Sequence, residues 1–398
     1  MSSVLGRYGR GSPLAATALR VHGLRAHVLW DDTRQSQWVW NLGGACSAAL
    51  APDEQARILR RAHAPLAATL DRMEAALPHR PLTLHTSVGR CAEADGLRRA
   101  LEPHLPWSPG HPKSALTLQL DGAAAVRAAC SVLSPRSAPR VAVCAESYHG
   151  PPPHTLATVR YPVPVDGDPA RSRRRLGAFL ERHAHELDVL LVEPQWGSSR
   201  LGRPWDPELL PWFAAAARGA GVAVAADEVM CGLARHGRGS LFLSTALGLP
   251  VDAVVFGKSI AMGLPLAGAA VRPGAVRRAV PLESHTYAGA GRIAIRAAAE
   301  TVAVLPSHIA GVRAREGVVR SVLETLPPGC KAHGQGLLWG VAHPGTQEQM
   351  ALACRRCGVW PYSVRGGVMV TPPLSATLPE LHQSLSALVD ACRLLTAR

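Results

Sequence analysis

Between residues 115 and 275 the chain alternates short apolar runs with longer amphipathic ones. The apolar runs occupy 116–120, 140–145, 188–193, 221–227 and 252–256. They are apolar on both faces, which predicts strands buried on both sides; the stretches between them, such as 207–220, read as helices. A strand–helix–strand alternation of this kind predicts a largely parallel sheet covered by helices on both faces. Upstream, residues 52–77 have the pattern of an amphipathic helix. The first fifty residues read as irregular, with Trp30, Trp38 and Trp40 clustered ahead of Gly43 and Gly44. Beyond about residue 295, two further helices around the shorter apolar segments 336–341 and 367–370 read as a smaller α+β domain. The expected division is an N-terminal segment, 1–50, contributing to the small domain, a large domain, 51–290, and a C-terminal small domain, 291–398.

Composition narrows the class. Apolar residues make up 47% of the 398 and charged residues 18%, enough for a substantial core and too apolar for wholesale disorder. No uncharged apolar stretch reaches the length of a membrane span, and residues 1–10 lack the apolar run of a secretion signal, so a cytoplasmic protein is expected. Nine scattered cysteines fit reduced thiols, and Cys354-Arg355-Arg356-Cys357 has no second pair to complete a zinc site. The formal charge of +14 raises the question of an anionic partner. The arginines are spread along the chain, however, and the one dense run, 171–175, has no aromatic interleaving. That pattern favours a solvated basic surface over nucleic-acid binding.

Lysine usage points to chemistry. Only Lys113, Lys258 and Lys331 occur, and Lys258 follows the apolar run Val254-Val255-Phe256 and Gly257. Arginine stays charged, whereas a lysine amine can lose its proton and act as a nucleophile. The ends of the other apolar runs carry matching groups: Tyr148-His149-Gly150, Glu193-Pro194 and Asp227-Glu228-Val229. Ligands of parallel sheets collect at the carboxyl ends of strands. A lysine amine, a buried acid and an aromatic at neighbouring strand tips are what a pyridine aldehyde cofactor requires. The amine forms a Schiff base, the acid keeps the ring nitrogen protonated, and the aromatic stacks on one ring face with Val229 on the other. A helix N-terminus after a glycine turn would hold a phosphate.

With these residues in order, the chain resembles the class III (omega-type) aminotransferases, which are fold-type I pyridoxal-phosphate enzymes. The resemblance runs from about residue 30 to 374. DEVMCGLARHG at 227–237 is similar to the family's D-E-V-x-x-G-x-x-R-x-G stretch, GKSIAMGLPL at 257–266 to its lysine segment, Tyr148-His149-Gly150 to its stacking motif, and His285-Thr286-Tyr287-Ala288-Gly289 to its H-T-[FY]-x-G motif. The resemblance implies an α/β large domain with a mainly parallel sheet, a smaller C-terminal α+β domain, and pyridoxal 5'-phosphate as cofactor. Lys258 and Asp227 would be catalytic. Gly122, Ala123, Tyr148, His149, Glu193, Val229 and Thr286 would bind the cofactor, Thr286 acting on the partner's phosphate in a homodimer with shared sites. Substrates would be an amine donor and a carbonyl acceptor, the latter small or carried on a peptide or carrier. Decarboxylation, epimerisation and aminomutase chemistry share the same residues and stay open, as does a non-catalytic partner protein on this fold.

Four departures qualify the pattern. The family's S-G-S-E-A turn reads Asp121-Gly122-Ala123-Ala124-Ala125, without hydroxyl donors and with an acid. E-P-[VI]-Q-G-E reads Glu193-Pro194-Gln195-Trp196-Gly197-Ser198, with Trp196 at the glutamine position. The arginine that pairs with the missing glutamate and binds a substrate carboxylate is replaced by Met369. The L-G-H-x-H-P stretch is absent after Gly44. Losing both halves of the carboxylate switch favours a ketone or aldehyde acceptor without a carboxylate beside the reacting carbon. Arg365 and Arg235 are candidate substitutes, and Trp196 a candidate substrate contact. The departures suit a specialised biosynthetic enzyme.

Overall fold

The computed structural model describes residues 16–22, 24–30, 35–42, 50, 52–73, 92–107, 114–150, 156–278, 287–289 and 291–397. The chain begins with three strands, β1 (Ala16–His22), β2 (Arg25–Trp30) and β3 (Ser36–Asn41), then helices α1 (Pro52–Met73) and α2 (Ala92–Leu101). The central region follows as β4 (Ala115–Gln119), α3 (Gly122–Leu133), β5 (Arg140–Cys144), β6 (Ala157–Tyr161), α4 (Pro169–His183), β7 (Val189–Val192), α5 (Leu209–Gly219), β8 (Ala223–Asp227), α6 (Leu243–Ala246), β9 (Ala253–Phe256) and β10 (Ala267–Val271). The remainder is α7 (Arg292–Val304), α8 (Pro306–Leu323), β11 (Lys331–Gln335), β12 (Leu338–Ala342), α9 (Gln347–Arg356), β13 (Val359–Trp360), β14 (Tyr362–Val364), β15 (Gly367–Val370) and α10 (Leu378–Thr396).

The chain divides into two compact units: Met1–Gln55 with Ser198–Arg203 and Ala310–Arg398, and Ala56–Gly197 with Pro204–Ile309. The second unit holds a seven-stranded sheet in the order β4-β10-β9-β8-β7-β5-β6. Strands β9, β8, β7, β5 and β6 pair in parallel. Strand β10 is antiparallel to both β9 and β4. Two reversals restore direction, so β4 ends on the same edge as the parallel strands. The core joins α3 (Ala125, Val126, Ala129, Leu133) to the strand interior (Val141, Val189, Leu191, Val255, Ala269), all buried. Alanine and valine dominate because a helix lying on a twisted sheet needs small and β-branched side chains to interdigitate.

The first unit holds two four-stranded sheets, β1-β2-β3-β13 and β11-β12-β15-β14. Sequence pattern missed the first of these. The N-terminal residues are a meander, not irregular chain: β2 alternates buried Ala26, Val28 and Trp30 with half-buried Arg25, His27 and Leu29. The outer positions are spanned by cation–π and ring contacts, Arg25 over Trp40 at 4.5 Å and His27 on Trp38 at 5.2 Å, so polar residues there do not mark a loop. Four helices, α7 to α10, follow residue 290, where two were expected. Strands β6 and β10 were also unforeseen. The first is a half-exposed edge strand, and the second is made of alanine, glycine and valine. Gly268 permits the tight approach in β10, since a Cβ there would lie 2.9 Å from the Phe256 ring and 3.0 Å from Leu118. Among the described residues no single helix is long and apolar enough to cross a membrane.

Candidate active site

Five strand ends of the second unit deliver the site. β9 stops at Phe256; Gly257 is extended, and Lys258 takes a left-handed φ of 49°. A non-glycine residue in that region costs about 1–3 kcal/mol and persists only where its surroundings hold it. Here buried Ser259, Ile260 and Ala261 anchor a 3₁₀ turn closed by the Ile260 N–H on Gly257 O at 3.2 Å. The Lys258 side chain is exposed at the strand tip.

Next to it, β8 ends on Asp227, 7% exposed. Its Oδ2 accepts from His149 Nδ1–H at 2.7 Å and its Oδ1 from the Val229 N–H at 3.1 Å. His149 Nε2 is buried with no partner among the described residues. Burial disfavours the charged imidazole, yet the Asp227 hydrogen bond and the charges of Asp227 and Glu193 outweigh it and raise the His149 pKa. Glu193, at the end of β7, is held above the usual carboxylate range by burial and by Asp227, partly offset by His149 and by N–H donors from Gly197 (3.0 Å) and Tyr148 (3.4 Å). One acid thus ties the Tyr148-His149 connection to the strand beside it. Tyr148 itself is 61% exposed, so its ring is available to a ligand and is not a core aromatic.

The turn between β4 and α3 completes the edge. Val229 packs over it: a Cβ on Gly122 would lie 2.9 Å from Val229 Cγ1, and one on Gly257 3.4 Å from the same atom. A Cβ on Gly150, which has φ 99°, would overlap that of Ala123. Asp227, Val229, Gly122, Ala123, Tyr148, His149 and Glu193 are thus linked by contacts at one edge of the sheet, with Lys258 at the tip of the neighbouring strand β9. Asp121 caps α3, its Oδ1 accepting from Ala124 N–H at 2.9 Å, while the amides of Gly122 and Ala123 have no partner among the described residues.

Three expected substrate residues do not join them. Trp196 is 1% exposed and stacks on Trp205 at 4.4 Å and 12°, while the Trp205 indole donates to Glu193 O at 2.9 Å. Arg235 is 4% exposed in the loop after β8. Neither presents a surface to a substrate, because each is closed over by packing. Arg365 is exposed in the β14–β15 turn of the first unit, and Met369 is fully buried in β15. Thr286 lies outside the described residues; of its motif, Gly289 N–H donates to Leu118 O at 2.8 Å at the end of β4. Sequence reading overlooked Glu228. Its carboxylate, pushed up to about 7 by burial, accepts from Leu243 N–H, Ser244 N–H (2.8 Å) and the Ser244 hydroxyl and so fixes the loop after Asp227. The signal was the doubled acid at a strand end.

Residues 136–392 match the model of a family, Aminotransferase class-III. The chain belongs to the class III aminotransferases. This class III enzyme is a transaminase, and its cofactor is pyridoxal 5'-phosphate. No curated protein matches it in sequence. Among solved structures it is similar to an (S)-enantioselective omega-transaminase from Thermomicrobium roseum, with TM-score 0.75, 19% identity, 96% of this chain and 93% of that one. The PMP-bound form of an aminotransferase from Vibrio fluvialis aligns with TM-score 0.78, 17% identity and 96% and 93% coverage. An ornithine delta-aminotransferase from Plasmodium falciparum aligns with TM-score 0.72, 18% identity and the same coverages. At these identities the likeness is one of fold: the aminotransferase retains the whole fold-type I framework.

Proposed function

We propose that this aminotransferase moves an amino group from an amine or amino-acid donor to a ketone or aldehyde acceptor in a specialised biosynthetic route. The observation that carries the proposal is the left-handed, exposed Lys258 beside the buried Asp227–His149 pair. The residues fit the cofactor on further grounds. Gly122 and Gly257 leave room that a Cβ would fill against Val229, and two α3 amides have no partner among the described residues. Bound pyridoxal phosphate supplies a protonated ring that accepts electron density from the substrate Cα.

Lys258 would supply the amine that holds the cofactor's aldehyde and would be the base positioned to move a proton at the substrate Cα. Asp227 would keep the proton on the ring nitrogen, and His149 orients that carboxylate by donating from Nδ1. Tyr148 and Val229 would cover the two ring faces, and the Gly122 and Ala123 amides would hold the phosphate. Thr286 from a second copy would complete that site in a homodimer. An acceptor without a carboxylate beside its carbonyl is supported by Ser198 and buried Met369, where the carboxylate switch would stand. The seven described cysteines are all free thiols, which suits a reducing, cytoplasmic setting.

Borohydride treatment followed by peptide mapping should place the cofactor label on Lys258. A panel of amines should then shift the absorption of the unreduced enzyme to that of the amine form. Label at another residue, or a spectrum indifferent to glutamate, alanine and simple amines alike, would end the proposal. Return of the starting spectrum after each turnover would favour decarboxylation, epimerisation or an aminomutase step instead.

A further inference from the structure

The turn between β4 and α3 presents a charge conflict. An anion seated on the Gly122 and Ala123 amides lies against the residue that caps the same helix, and that residue is an acid. Asp121 is exposed, spends one oxygen on the Ala124 amide, and has no ion pair among the described residues. The neighbouring side chains of the turn, Ala123, Ala124 and Ala125, cannot donate to an anion. A phosphate monoester titrates near pH 6, so at neutral pH and above it is mostly dianionic in water. Two backbone donors and a helix terminus favour an anion, but a dianion beside an unneutralised carboxylate is repelled.

The charged and titratable groups around the turn do not resolve the conflict. From the β5–β6 connection come Glu146, Tyr148 and His149, brought near by the contact of Gly150 with Ala123. From β8 comes Asp227, and from the end of β9 Lys258, both adjoining Val229, which packs on Gly122. Tyr287 lies beside the end of β4, where Gly289 bonds Leu118, and Arg127 stands one turn further along α3. The His149 proton is committed to Asp227, and Lys258 is required at the aldehyde. None of these groups bonds Asp121.

Resting on the proposed placing of the cofactor phosphate, we infer that Asp121 makes cofactor binding take up a proton, held between its free carboxylate oxygen and a phosphate oxygen. The turn is then selective for the singly charged phosphate, and cofactor affinity falls as pH rises above about 6, by about tenfold per unit while one proton is taken up. Retention of the cofactor becomes pH-dependent, independently of the chemistry at Lys258.

The test uses pyridoxamine 5'-phosphate as probe, since it carries the phosphate but no aldehyde for Lys258. Titration calorimetry of the cofactor-free full-length protein at pH 8, in buffers of different ionisation enthalpy, counts protons taken up on binding. Asp121→Asn keeps the size and capping ability of the side chain, and Asp121→Ser restores the family's residue as a second variant should the first fold poorly. The wild type should take up close to one proton more than either variant. Its dissociation constant should rise with pH between 6.5 and 8.5, while those of the variants change at least fivefold less. Equal proton counts with parallel pH dependences would overturn the inference and leave the site assignment standing. Failure of wild type and variants alike to bind either cofactor form would overturn the placing itself, and the inference with it.

Discussion

The tips of β8 and β9 and the turn between β4 and α3 share one edge of one sheet, yet differ in how much sequence change they absorb. At the strand tips each proposed role needs a particular atom: a lysine nitrogen, a carboxylate on a fixed strand, an imidazole within 2.7 Å of it. There the motifs DEV, GK and YHG survive intact. At the turn the proposed donors are backbone amides, which every residue but proline provides, and the side chains are Asp121 and alanines, where the motif it resembles has hydroxyls. What is kept at the turn is space, through Gly122 and Gly150. Side-chain chemistry constrains identity, whereas backbone chemistry constrains shape.

The sharpest way to break this contrast is Lys258→Ala. It should slow the amine half-reaction by at least about 10³-fold, read by single-turnover absorbance, with little change in thermal stability. A variant within tenfold of wild type would show that the tip does not depend on that atom. Asp227→Asn should follow, with a loss of about 100-fold or more. It also has a signature in stability. Because Asp227 raises the His149 pKa, the folded state binds that proton more tightly than the unfolded state does. The stabilisation is present in full below about pH 6.5 and fades as pH rises through the raised value. Urea unfolding should therefore find Asp227→Asn more destabilised, relative to wild type, at pH 6 than at pH 9.

Shape at the turn is tested next. Gly150→Ala combines a left-handed φ with overlap on Ala123 and should lose about 2 kcal/mol or more in chemical unfolding. Gly167→Ala, with φ 72° but nothing within 4 Å, should lose only about 1 kcal/mol. If the two lose equally, close packing at the turn is not what keeps Gly150. The smallest effect belongs to Asp121→Asn, which should leave stability within about 0.5 kcal/mol because asparagine caps as well as aspartate.

How far the chain could be read without coordinates depended on burial. Strands β4, β5, β7, β8 and β9 fall within a residue or two of the apolar runs at 116–120, 140–145, 188–193, 221–227 and 252–256, since strands covered on both faces must be apolar throughout. Strand β10 was not legible: AGAAV has the composition of a tight packing surface, and its place between β4 and β9 follows from contacts that only the folded sheet supplies. Strand β2 hid behind an arginine and a histidine, Arg25 and His27, that become strand residues once Trp40 and Trp38 of β3 lie across from them. Within the candidate site, the lysine, the acid and the aromatic connection stand out in the sequence because their chemistry is rare and ordered along the chain. Trp196 was misjudged: its stacking on Trp205, nine residues away, turns a substrate contact into core.

By itself the sequence determined the fold class and singled out the candidate amine, its candidate acid and the positions where a carboxylate switch would stand, because each depends on residue type and order. Only the tertiary structure decided which groups face one another: His149 on Asp227, Glu193 across two amides, and Asp121 on the Ala124 amide at the mouth of α3. The reason is geometric. Distances between residues far apart in the chain are set by how the sheet twists and packs, and no local pattern encodes them.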